Sequence, residues 1–144
     1  MKYDLILIIL LTTLNAETLK SLKFKDAIVS KVTSVYDGDT FRVNIDSYPK
    51  IVGYRMSIRI NGIDTPEKKG KCKKEKDLAK LARKLTKSLL KNAKIIKLKN
   101  IKRGKYFRLV ADVYTDNKSI AKLLIKNNLA VPYDGGHKSK DWCK

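Results

Sequence analysis

The sequence predicts a mainly β, α+β fold: a five-stranded antiparallel barrel with one helix between its third and fourth strands and a second, short helix after the fifth. Three observations predict it. Residues 27–60 contain three successive runs in which apolar and polar side chains alternate, residues 78–89 switch to helical spacing, and two further strand-like runs precede a second helical pattern.

The first run, Ala27 to Val35, is rich in β-branched residues. In the second, Thr40 to Ile45, Phe41, Val43 and Ile45 alternate with Arg42 and Asn44. Between them Asp37-Gly38 signals a tight hairpin turn. In "YRMSIRING", Met56, Ile58 and Ile60 face one way and Arg55, Ser57, Arg59 and Asn61 the other, as expected of a strand with one face in a core. A basic loop, "EKKGKCKKEK" at 67–76, follows. Leu78, Leu81, Ala82, Leu85 and Leu89 then recur at i, i+3, i+4, i+7 and i+11, an amphipathic helix ending near Asn92. "KIIKLKNI" and "KYFRLVADVY" read as two strands joined through "KRG", and "KSIAKLLIKNN" as the second helix. The order β-β-β-α-β-β-α is the OB-fold arrangement, whose open face commonly binds oligonucleotides.

The first sixteen residues, "MKYDLILIILLTTLNA", have a lysine, an apolar run and a closing alanine, the layout of a signal peptide over 1–16. Residues 17–144 then form one exported domain, periplasmic or extracellular. The apolar run is about ten residues, short of the roughly 20 that span a bilayer, so stable membrane insertion is not expected. The chain carries 33 Lys+Arg against 14 Asp+Glu, a net charge of +19, and loss of Lys2 with Asp4 leaves that difference unchanged. Such a surface attracts polyanions: nucleic acid first, with anionic membrane or cell-wall polymer as alternatives. Two cysteines, Cys72 and Cys143, form an even count in an oxidising compartment, which favours a disulfide over free thiols. With only His137 besides, a zinc site lacks ligands at regular spacing.

Two strand ends present Asp-Thr: Asp39-Thr40 entering the second strand and Asp64-Thr65 leaving the third. Antiparallel pairing brings them to one edge, where two carboxylates repel unless they share a proton or a cation. Carboxylate and carbonyl oxygens suit Ca²⁺, Mg²⁺ or Mn²⁺, and outside a cell Ca²⁺ is the expected ion. Pro66 restricts Thr65 to extended geometry, so Glu67 leaves the strand end in a defined direction, suited to a general base towards water. Arg59 and Arg108 sit on polar faces, where guanidinium groups can grip a phosphate. Arg42, Arg55, Arg83 and Arg103 read as surface charge, and His137 as a solvated loop residue. Together these residues sketch a phosphodiesterase site.

"DGDT" at 37–40, "RINGIDTPE" at 59–67 and "KYFR" at 105–108, with "SIAKLLIKNNLA" at 119–130, resemble the staphylococcal-nuclease-like thermonucleases from about Ala27 to Tyr133. The resemblance implies that Asp39 and Asp64 ligate Ca²⁺ through side chains and Thr65 through its carbonyl. It implies Glu67 as general base, Arg59 and Arg108 on the scissile phosphate, and Lys105 and Tyr106 on a terminal phosphate. The implied activity is endo- and exonucleolytic hydrolysis of DNA and RNA, single strands favoured, at the P–O5′ bond with 3′-phosphate products, by a monomer. Phe107 replaces the family's usual glycine, and its alternation with Arg108 predicts that it fills the core. Residues 134–144 are shorter than the family's long C-terminal helix, and a Cys72–Cys143 bridge is read as fastening them in its place. Tyr133 is read as structural before base-stacking, and Trp142 as capping apolar surface. The rival function is a non-catalytic OB-fold module that binds nucleic acid.

Overall fold

The computed structural model describes residues 24–144; the expected signal peptide lies outside the described residues. Its strands are β1 (Ala27–Ile28), β2 (Lys31–Val35), β3 (Thr40–Asn44), β4 (Met56–Ile60), β5 (Ile63–Asp64), β6 (Ile96–Arg103), β7 (Leu109–Thr115), β8 (Lys118–Ser119) and β9 (Val131–Pro132). Its helices are α1 (Lys50–Gly53), α2 (Lys73–Asn92) and α3 (Ile120–Lys126).

The main sheet runs β1-β6-β7-β4-β3-β2, with β8 on β7, and β5 pairs separately with β9. The sheet is curled. Val29 donates its backbone N–H to Ile96 (3.0 Å) and Ser30 donates to Asn44 (2.9 Å), so consecutive residues of the bent segment joining the two end strands bond β6 on one side and β3 on the other. Not every pair is antiparallel: β4 and β7 run parallel, with Arg59 beside Val110. The helix α2 and strand β6 between them return the chain to the same end, which a meander alone cannot do.

Alternation decides which face is buried. Phe41 and Val43 of β3, Ile58 of β4, Leu98 of β6 and Leu109 and Ala111 of β7 are fully enclosed, joined by Ile120 and Leu124 of α3. In β6 the alternation slips. Ile96, Leu98 and Ile101 are the buried residues, and the register shifts between Lys99 and Lys102, where Asn100 adopts a left-handed φ of 51°. That bulge holds Ile101 in the core despite an extra residue.

Helix α2 is capped by Cys72, whose Sγ accepts the N–H of Glu75, and ends at Asn92. Its buried stripe is Glu75, Ala79, Ala82, Thr86 and Leu90, whereas Leu81 is exposed. The helix is thus rotated from its leucine-rich face, because small residues are needed where it meets residues 37–40. A Cβ on Gly38 would lie 2.7 Å from that of Ala82, and the Thr86 hydroxyl donates to the Gly38 carbonyl at 2.6 Å. Gly38 therefore serves close approach rather than a two-residue turn. The hairpin turns instead on the Asp37 side chain, which accepts from the backbone N–H of Thr40 (2.8 Å) and of Asp39 (3.2 Å).

Residues 105–108 also depart from expectation. Gly104 N–H bonds the Arg108 carbonyl (2.8 Å) and Arg103 pairs with Leu109, so Lys105, Tyr106 and Phe107 form the turn between β6 and β7 rather than the start of a strand. Burial of Ile101 and Leu109 sets this register and pushes the turn past "KRG". Phe107 accordingly does not fill the core; it is 57% exposed, with φ 53°.

Candidate functional site

Strand β4 sits beside β3 with Arg59 opposite Thr40, and β5 continues from it to Asp64. The expected edge is formed: Asp39, Asp64 and Thr65 are all buried, at 2%, 3% and 3% exposure. Arg59 lies between the two carboxylates, 2.8 Å from Asp39 Oδ2 and 3.9 Å from Asp64 Oδ1, and it also reaches the Ile63 carbonyl at 3.4 Å. Asp39 Oδ1 accepts the Thr40 hydroxyl at 2.8 Å.

Asp37, read from sequence only as a turn residue, belongs to the same acidic corner. Burial first, and then the Asp39 charge, push its carboxyl up to about 7. Burial likewise raises Asp39, against the opposing Arg59 charge. Burial outweighs the backbone N–H donors that favour ionised Asp37 and the Arg59 charge that favours ionised Asp39.

Glu67 stands at the rim with its side chain half exposed. Its backbone N–H donates to Glu75 Oε1 (3.2 Å), while Lys71 N–H donates to Glu75 Oε2 (2.9 Å), so the first turn of α2 fixes the loop that carries Glu67. Across the rim comes Lys138. Strand β9 pairs with β5, Tyr133 donates its N–H to the Gly62 carbonyl (3.0 Å), and the following residues bring the Lys138 ammonium 2.7 Å from Asp64 Oδ1 and 2.5 Å from Glu67 Oε1. Burial pulls the Lys138 ammonium down, but Asp64 and Glu67 more than offset it, and it ends above the ordinary lysine value.

These groups border a cavity of about 820 Å³ whose lining includes Asp37, Arg59, Glu67, Lys105, Tyr106, Arg108 and Lys138. All the residues predicted for catalysis and for the terminal phosphate thus meet at one cavity, with Asp39 and Asp64 behind Arg59 and Thr65 buried next to Asp64. Arg108 Nε is buried without a hydrogen-bond acceptor among the described residues, and its guanidinium lies 5.7 Å from the Tyr106 ring centre. Arg103, read as surface charge, also lines the cavity. Tyr133 holds the tail by its hydroxyl on the Gly136 carbonyl (2.7 Å) and lies 6.0 Å from the Arg59 guanidinium, so structural and cavity-facing roles coincide.

The acidic corner fits a hard divalent cation. Its donors are all oxygens, Asp39 and Asp64 are buried, and Asp64 Oδ1, though close to Lys138, makes no aligned hydrogen bond. A second cluster, Cys72, Glu75 and Cys143, does not fit: its sulfurs are joined in the Cys72–Cys143 disulfide and Glu75 is engaged by backbone donors. That bridge ties residues 133–144 to the start of α2, and Trp142 beside it is buried. A disulfide belongs to an oxidising environment. Among the described residues, no helix is long and apolar enough to cross a membrane.

The family model described as "Staphylococcal nuclease homologue" matches residues 57–142. No curated protein matches the chain.

Proposed function

The chain belongs to the staphylococcal nuclease homologues, a family of nuclease-like and nucleic-acid-binding function, and we propose that it is an exported, monomeric, Ca²⁺-dependent nuclease hydrolysing DNA and RNA. The observation that carries this reading is the convergence of two arginines and a rim glutamate on one cavity, with two buried aspartates beside Arg59.

In this reading Asp39, Asp64 and the Thr65 carbonyl hold the cation. Bound there, a divalent cation supplies positive charge against the phosphate oxygens. Arg59 and Arg108 donate hydrogen bonds to the same phosphate, most strongly as its charge grows in the transition state. Arg108 Nε, a buried donor with no acceptor among the described residues, is suited to that role. Glu67 takes a proton from a water that attacks phosphorus in line, and the P–O5′ bond breaks to leave a 3′-phosphate and a 5′-hydroxyl, whose oxygen takes its proton from solvent. Lys105 and Tyr106, at the mouth, contact a terminal phosphate, and the basic surface gathers the polyanion.

The test is cleavage of single-stranded and duplex DNA and of RNA, with Ca²⁺ and with chelator, followed by identification of product ends. Calcium-dependent cleavage to 3′-phosphates is expected, and Glu67→Gln should cut turnover by roughly 10²–10⁴-fold while oligonucleotide binding persists. A second reading, a binding module without catalysis, draws on the Lys138–Glu67 ion pair, which occupies the proposed base. Tight binding with no cleavage under any divalent ion would select it.

A further inference from the structure

The β6–β7 turn places two aromatic residues where the backbone is least hospitable to them. Tyr106 has φ 56° and Phe107 φ 53°, a left-handed pair that hairpins normally give to Asn-Gly, since a Cβ crowds the following carbonyl there. Burial does not offset that crowding. Tyr106 is 88% exposed and Phe107 57% exposed. Phe107 instead lies against one cation: the Arg103 guanidinium is 4.0 Å from its ring centre. Lys102, Arg103 and Lys105 surround the turn and border the cavity that Arg59 and Arg108 share. A strained turn that exposes flat rings within a cationic frame is what an unpaired nucleobase on a phosphate backbone can use.

We propose that Phe107 is a base-stacking subsite: the turn holds its ring out beside the cavity, between the lining residues Tyr106 and Arg108, to take a nucleobase of single-stranded nucleic acid adjoining the phosphate bound in the cavity. This rests on the nucleic-acid reading of the site. Arg103 backs the ring and lends it positive charge, while the turn, rather than a packed core, fixes its direction. The chain accepts a less stable turn in return for a stacking surface.

The test is oligonucleotide affinity by fluorescence anisotropy in chelator, where turnover is suppressed, paired with thermal unfolding of the same proteins. Phe107→Ala should weaken binding of a single-stranded oligonucleotide roughly 5- to 100-fold, Phe107→Trp should restore it, and an abasic oligonucleotide should lose most of the difference between wild type and Phe107→Ala. Phe107→Gly, which removes the left-handed strain, should weaken binding equally while keeping or raising Tm. Equal affinity of wild type and Phe107→Ala, or an equal loss on the abasic strand, would overturn the subsite. If wild type binds no oligonucleotide at all, the nucleic-acid reading falls with it. Phe107-dependent binding of anionic vesicles without oligonucleotide binding would instead assign the turn to a membrane surface.

Discussion

Lys138 is the side chain at the site that no short motif announces. Its ammonium contacts Asp64 Oδ1 and Glu67 Oε1, and in the proposed Ca²⁺ site a cation on Asp64 must displace it. A site that must first expel an internal competitor binds more weakly by the fraction of time it is available. Lys138→Gln should therefore tighten Ca²⁺ binding by about tenfold in titration calorimetry of chelator-treated protein, whereas Lys102→Gln, at the same cavity without that contact, should change it less than twofold. Equal effects would reduce Lys138 to general repulsion. The meeting of Asp39, Asp64 and Arg59 at one edge is legible in sequence because strand ends and alternation are local, and the position of Glu67 at the rim because Pro66 follows a strand. Lys138 is not, since it meets Glu67 across 71 residues and depends on where the tail returns. Asp37 is half legible: its turn chemistry is plain, but its desolvation beside Asp39 comes from α2 packing over the loop.

Helix α2 shows the same division among elements. Its period can be read, but its rotation cannot, because the deciding contact is with Gly38, far away in sequence. Thr86, fully buried, satisfies the Gly38 carbonyl. Thr86→Val keeps the volume and removes the donor, which should cost about 1–3 kcal/mol in denaturant unfolding. A variant as stable as wild type would mean that the carbonyl finds another donor and that packing alone sets the helix position. The β6–β7 turn was misplaced for a related reason. "KRG" carries the turn composition, but burial of Ile101 on one strand and Leu109 on the other fixes the ladder, and core burial outweighs local preference.

The whole molecule is closed at two places. The Cys72–Cys143 bridge spans a sequence separation of 71 residues and holds the tail, with Trp142 and Lys138, against the site. Chain entropy assigns a loop of that length about 4 kcal/mol, so Cys143→Ser should lower stability by about 2–4 kcal/mol, read as the shift in unfolding free energy. Reductant should destabilise wild type and leave the variant unmoved; a reductant-insensitive wild type would show that the bridge adds nothing. The cysteine count favoured this pair, but the sequence did not disclose that its loop frames the cavity. The other closure is the bent segment at Val29 and Ser30, which bonds β6 and β3 across the sheet. Ala27 finds its partner only at Leu98. During synthesis the first strand thus leaves the ribosome long before the strand that completes it, and the core cannot shut until most of the chain has been made. Such non-local pairing delays folding, so the nascent polypeptide stays open for much of its elongation, a form that a translocation channel can thread.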